Sequence, residues 1–114
     1  MDSNTVFALL MGLAIVFLLF RRRGNISGDE ARQLVKSGAL LVDVRSPAEF
    51  AGGHIEGAIN VPLQTLGANM KKLGDKERPV VVYCASGVRS SSAAGMIKRA
   101  GYADVRNLGA KSRW

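Results

Sequence analysis

Short apolar runs alternate with polar turns along the chain, and their period changes from run to run. Residues 6–20 are uninterruptedly apolar, and Arg21, Arg22 and Arg23 close that run abruptly. Ser27-Gly28-Asp29-Glu30 has the capping-box form, with Ser as N-cap and Glu three places on. Ala31, Leu34 and Val35 then supply one apolar helical face, and Gly38 is placed to stop the helix. Leu40-Leu41-Val42-Asp43-Val44 lacks alternation and reads as a strand buried on both faces. Ser46-Pro47-Ala48-Glu49-Phe50 predicts a short helical turn with Pro at its first position. Ile59-Asn60-Val61 is a short strand, after which Pro62 opens a helix with Leu63, Leu66, Met70 and Leu73 at core-facing spacing. A charged turn, Gly74-Asp75-Lys76-Glu77-Arg78, precedes Pro79-Val80-Val81-Val82-Tyr83, the pattern of a central strand in a parallel sheet. A Ser- and Ala-rich helix over residues 90–100 follows, with Ala93, Ile97 and Ala100 on one face and Gly101 as its stop. Ala103-Asp104-Val105-Arg106-Asn107-Leu108 gives the last strand.

This alternation predicts an α/β fold with a mostly parallel sheet and helices on both faces, in three layers. At 114 residues there is room for one domain. A single cysteine excludes an intramolecular disulfide. No internal repeat, P-loop, dinucleotide fingerprint or metal-ligand cluster is present, and no cofactor is expected.

Two segments are distinguished: residues 1–23, an N-terminal membrane anchor with a basic flank, and residues 26–114, the folded domain. The apolar run falls short of the ~20 residues of a full span, but Ser3, Asn4 and Thr5 can extend the helix and the arginines can snorkel. A secretory signal would carry its positive charge before the run rather than after it. The arginine side is the cytoplasmic side by the positive-inside rule, which predicts a single-pass membrane protein with its domain facing the cytoplasm. The net charge of +7 is +2 over the first 23 residues and +5 over the domain. The domain's basic residues are scattered along the chain without interleaved aromatics, so no nucleic-acid partner is expected.

The only cysteine, Cys84, falls where the central strand ends and a helix begins. Open α/β sheets place ligands at that end. A loop running into a helix start turns backbone N–H groups inward, the helix dipole adds partial positive charge, and Arg89 adds a full one. All three favour thiolate over thiol. The same cradle suits an oxyanion such as thiosulfate, sulfite or phosphate. The plain alternative is a small buried cysteine at a strand end.

Cys84-Ala85-Ser86-Gly87-Val88-Arg89, together with Asp43-Val44-Arg45-Ser46-Pro47-Ala48-Glu49-Phe50 and Gly53-His54-Ile55-Glu56-Gly57-Ala58-Ile59-Asn60-Val61-Pro62, resembles the rhodanese family. The two upstream stretches match its D-x-R-x-x-x-E-F and G-H-I-x-G-A-x-N-x-P signature. The resemblance implies about five strands and a catalytic Cys84 that carries sulfur as a persulfide. It implies a sulfurtransferase moving sulfane sulfur from thiosulfate or a persulfide to a thiol or protein acceptor. The backbone N–H groups of Ala85, Ser86, Gly87, Val88, Arg89 and Ser90 would hold the persulfide, and Arg89 would bind the departing oxyanion. Arg45 is a further candidate for the pocket, with a surface ion pair to Glu49 as its plain alternative. Asp43 and His54 are implied to be structural. Membrane lipid is the other expected partner, through the anchor.

Three rival functions remain at this level. A phosphatase or arsenate reductase would share the fold, but the related dual-specificity phosphatases have one more residue in the loop. A non-catalytic docking module does not require the intact Cys84. A persulfide carrier, loaded by another protein, has the same sequence requirements as the enzyme.

Overall fold

The computed structural model describes residues 2–22 and 25–114, without the side chains of residues 17–22. The first helix, α1, runs Ser3–Arg22, and its described side chains are exposed throughout. Among the described residues no helix is long and apolar enough to cross a membrane. The expected transmembrane helix is therefore not part of the observed architecture. Its far end, Phe17 to Phe20 with Arg21, Arg22 and Arg23, lies outside the described residues in whole or in its side chains.

Four parallel strands follow: β1 (Leu40–Asp43), β2 (Ile59–Asn60), β3 (Val80–Cys84) and β4 (Val105–Ala110), in the order β2-β1-β3-β4. The predicted α/β class, parallel sheet and central position of the valine strand all hold. Among the described residues the expectation of about five strands is corrected to four. At the free edge of β4, Asn25 makes one isolated parallel bridge to Asn107, and the Ile26 N–H donates to the Asn107 carbonyl at 2.9 Å. Ser27 caps a helix two residues later, so beyond Ile26 the chain turns away from the β4 edge.

The period of two along β3 divides its side chains between two cores. Val80, Val82 and Cys84 face α5 (Val88–Arg99) and the segment that opens with α4 (Leu63–Leu66). Val81 and Tyr83 face α2 (Gly28–Lys36), with Ile55, Leu108 and Trp114. This is the predicted three-layer arrangement. The helix predicted after Pro62 is not continuous: α4 gives way to a 3₁₀ stretch, Gly67–Leu73, in which Asn69 leaves helical geometry. The Asn69 side-chain amide donates to the Thr65 carbonyl at 2.9 Å, an alternative to the helix ladder that Asn offers readily. Leu66 and Leu73 are buried nonetheless, so the stripe does its work through a kink.

The short helix α3 (Pro47–Ala51) carries the complete capping box in the molecule: Ser46 accepts from the Glu49 N–H, and the Glu49 carboxylate accepts from the Ser46 N–H. At Ser27 the capping oxygen accepts from the Glu30 N–H, and its hydroxyl donates to the Glu30 carboxylate at 3.5 Å.

Candidate active site

Cys84 ends β3, fully buried, and Gly87 starts α5 in the left-handed region at φ 104°. That turn folds the backbone over the sulfur. The Gly87 N–H donates to Cys84 Sγ at 2.9 Å and the Ser90 N–H at 3.3 Å. The Ser90 hydroxyl lies 3.4 Å from Sγ and 3.1 Å from the Gly87 carbonyl. With a thiol, sulfur donates to the hydroxyl, which donates on to Gly87. With a thiolate, the hydroxyl can turn its proton onto sulfur.

The largest influence on the Cys84 acidity is burial, which raises its pKa. The Ser90 hydroxyl and the N–H groups of Ser90, Gly87 and Ser86 together outweigh it, so the thiol sits below its usual value. Depression was expected from the sequence; its source is narrower than expected. Arg89 turns its guanidinium to Glu49, with Nη1 2.6 Å from Oε1 and Nη2 2.9 Å from Oε2, a two-pronged pair across 40 residues. Arg89 first and the Ser46 N–H second bring the Glu49 carboxyl down to about 2.

Glu49 is thus the residue that sequence reasoning missed here, having been considered only as a partner for Arg45. Arg45 goes elsewhere. It is buried, its Nη2 lies 2.7 Å from Asp43 Oδ2 and 2.7 Å from the Gly53 carbonyl, and its guanidinium stands over the Tyr83 ring. Arg45 accordingly fastens the 52–57 loop to β1 rather than offering the Cys84 loop a cation, and no Arg45–Glu49 pair forms. Asp43, fully buried, accepts from the Arg45 backbone and side chain, as its structural role requires. His54 stacks on Phe50, and its Nδ1 lies 2.9 Å from the Phe50 carbonyl. A carbonyl only accepts, so Nδ1 carries the proton, and the ring closes its own loop.

The rest of the loop is open. Ala85 and Ser86 are exposed, and Val88 presents 74% of its surface to solvent. The N–H groups of Val88 and Arg89 sit in the first turn of α5, where no intrahelical acceptor exists. Behind the loop, β4 bulges: Tyr83 pairs with Gly109 where Val82 pairs with Asn107, leaving Leu108 as the extra residue. The bulge brings Gly109 against Gly87. Among the described residues no cluster of His, Cys, Asp and Glu could hold a metal ion. The arrangement is a buried cysteine sulfur under a ring of donors, with one ion-paired cation at its rim.

Comparison with known proteins agrees with the two motif blocks. The rhodanese-like domain family matches residues 27–114. The uncharacterized protein YqhL of Bacillus subtilis is 42% identical over 98% of this chain and 93% of its own length. A Pseudomonas aeruginosa thiosulfate sulfurtransferase, GlpE, is 39% identical over 74% of this chain and 76% of its own. The human single-domain sulfurtransferase TSTD1 superposes with a TM-score of 0.70 at 34% identity, covering 80% of this chain and 94% of that one. Homologues of this kind support a rhodanese-type sulfurtransferase activity in general. With its parallel sheet, its cysteine at the sheet's C-terminal end and this match over nearly all of its folded part, the chain belongs to the rhodanese-like domain family.

Proposed function

We propose that the chain transfers sulfane sulfur from a thiosulfate-like or persulfide donor to a thiol acceptor, through a persulfide on Cys84. The observation that carries this reading is the set of donors converging on Cys84 Sγ, 2.9 Å from the Gly87 nitrogen and 3.3 Å from that of Ser90. Donors so placed stabilise negative charge on sulfur, first as thiolate and then as persulfide. In the first step the Cys84 thiolate attacks the outer sulfur of thiosulfate. A sulfur–sulfur bond forms to Cys84, the donor's own sulfur–sulfur bond breaks, and sulfite leaves with the electron pair. The outer sulfur now carries the negative charge, and the N–H groups of Val88 and Arg89 are the remaining donors at the mouth. An acceptor thiolate then attacks that outer sulfur and takes it as its own persulfide, returning Cys84 as thiolate. No net proton is exchanged with the protein, which fits a site without a general base. Two half-reactions through a covalent intermediate predict ping-pong kinetics.

Arg89 is the group for the departing oxyanion, and Glu49 sets how freely it is available. The loop has four residues between Cys84 and Arg89, which suits a sulfur-sized group over a tetrahedral phosphate. The N-terminal helix is proposed as a membrane anchor with the domain on the cytoplasmic side. Its apolar side chains from Val6 to Val16 are exposed, and the YqhL likeness runs through this segment as well.

The test is the intact mass of the full chain before and after thiosulfate. A gain of one sulfur atom on Cys84, removed by cyanide or a thiol and absent in Cys84→Ser, is the expected result. A folded chain that gains no sulfur, or gains it in Cys84→Ser, overturns the assignment.

A further inference from the structure

Basic residues that are scattered along the chain are sorted by the topology. The parallel strands all begin at one end of the sheet, and Cys84 closes β3 at the other. The turns feeding those strand starts are tied together. Arg78 Nε donates to the Gly38 carbonyl at 2.9 Å, the Ala103 N–H to the Lys76 carbonyl at 3.0 Å, and the Tyr102 hydroxyl reaches the Gly74 carbonyl at 2.9 Å. Onto this one end come Lys36 at the close of α2 and Lys98 and Arg99 at the close of α5. Lys71 and Lys72 arrive with the 3₁₀ stretch, and Lys76 and Arg78 with the turn before β3. All seven are exposed. Arg106 adjoins them, paired with Asp104.

Against these eight cations stand three carboxylates, Asp75, Glu77 and Asp104. In the rest of the domain five basic and five acidic side chains cancel, six of them in direct pairs: Arg32–Asp29, Arg45–Asp43 and Arg89–Glu49. The +5 excess therefore gathers toward the end of the sheet away from Cys84, with Glu30 close enough to act on Arg106. Complementing helix dipoles accounts for Lys36, Lys98 and Arg99. It does not account for Lys76 and Arg78, which lie in a turn.

A second observation concerns where the chain enters the domain. Asn25 pairs parallel to Asn107, so the chain comes onto the β4 edge running from the basic end toward the Cys84 end. The apolar helix α1 lies just upstream of that point. We propose that the basic end is a docking face for an anionic lipid surface, which holds the domain with its Cys84 loop turned to the aqueous side. This rests on the anchor reading only for what brings the domain to the bilayer. Lysine point charges suit lipid headgroups, and among the described residues no exposed aromatic ring lies on this end to stack a nucleic-acid base.

The experiment reconstitutes the full chain in phosphatidylcholine vesicles and in vesicles with added phosphatidylserine. An impermeant amine-acetylating reagent is applied, and lysines are read singly by mass. Lys71, Lys72, Lys76 and Lys98 should react about fivefold more slowly on the serine-containing vesicles. High salt should restore their rate, and Lys111, at the other end, should not change. The variant Lys71→Gln, Lys72→Gln, Lys98→Gln should keep sulfur transfer and lose the protection of Lys76. Equal rates at Lys76 and Lys111 on both vesicles overturn the proposal even if the chain is firmly anchored. Equal protection by duplex DNA without lipid also overturns it, assigning the face to nucleic acid. A chain that binds only the anionic vesicles, with the same protection, supports the face while refuting the anchor.

Discussion

At the scale of single residues, two polar side chains near the loop carry opposite duties. Ser90 acts on sulfur: its hydroxyl and N–H both lower the Cys84 pKa. Ser90→Ala keeps the N–H and removes the hydroxyl. The pH midpoint of Cys84 alkylation by iodoacetamide should therefore rise in the variant, while in the natural chain it lies below the ordinary thiol value. An unchanged midpoint would show that the backbone alone activates the thiol. Arg45 acts on the fold. Removing it leaves Asp43 charged and fully buried, which typically costs about 3–5 kcal/mol. Arg45→Ala should lower the free energy of unfolding by that much, whereas Arg89→Ala, on a half-exposed pair, should cost far less. Cys84 and its loop were legible from residue order alone, because a buried strand running into a helix start is a local pattern. The exchange of partners was not. Arg45–Glu49 has helical spacing in the sequence, but Asp43 and Gly53 capture Arg45 through the tertiary fold, and Glu49 is left for an arginine 40 residues away.

At the scale of elements, the loop is a joint between α3, α5 and the bulged end of β4. Glu49 belongs to the capping box of α3 and to the fork on Arg89 in α5, so one carboxylate holds both helix starts. Its pKa of about 2 against an ordinary 4.5 gives the sign of the pH effect. The contribution of the pair is fully present above about 4.5 and fades as pH falls toward about 2. Glu49→Gln removes a negative charge that competes with an anionic donor and also loosens Arg89. The expected outcome is a split, with KM for thiosulfate falling and kcat falling, each about fivefold, the worth of one hydrogen bond. A fall in stability with neither kinetic change would make Glu49 structural only. The glycines behind the loop carry the other element-scale prediction. Gly87 and Gly109 both have positive φ, and a Cβ on Gly109 would come 3.0 Å from the Asn25 amide. Gly87→Ala should cost about 1–2 kcal/mol from backbone strain, and Gly109→Ala more, because contact adds to strain. Equal thermal midpoints for the two variants would show that Asn25 yields freely. The bulge itself left no mark in the sequence, since Asn107-Leu108-Gly109 reads as the tail of an ordinary strand.

At the scale of the whole molecule, the strand and helix order was readable because each element signals its own period. The count of strands was not, because a single bridge at Asn25 does not make a strand. The charge asymmetry was hidden for the same reason: the basic residues are distant in sequence and meet only where helix ends and strand starts gather. The two cores draw on residues from Ile26 to Trp114 and, among the described residues, on none from α1. Arg113 closes that unit from its far end, donating to the Leu108 and Ile26 carbonyls at 2.8 and 2.9 Å. A chain beginning at Asn25 should therefore fold, keep the bridge to Asn107, and transfer sulfur at the rate of the full chain, since α1 adds no group to the loop. It should also no longer sediment with phosphatidylcholine vesicles, which the full chain should resist leaving under alkaline extraction. A start at Ser27 would remove Ile26, whose carbonyl Arg113 holds and whose N–H completes the β4 edge, and should lower the thermal midpoint below that of the Asn25 start. If the Asn25 chain folds but loses turnover, α1 acts on the site itself, and its role extends beyond placing the domain at a surface.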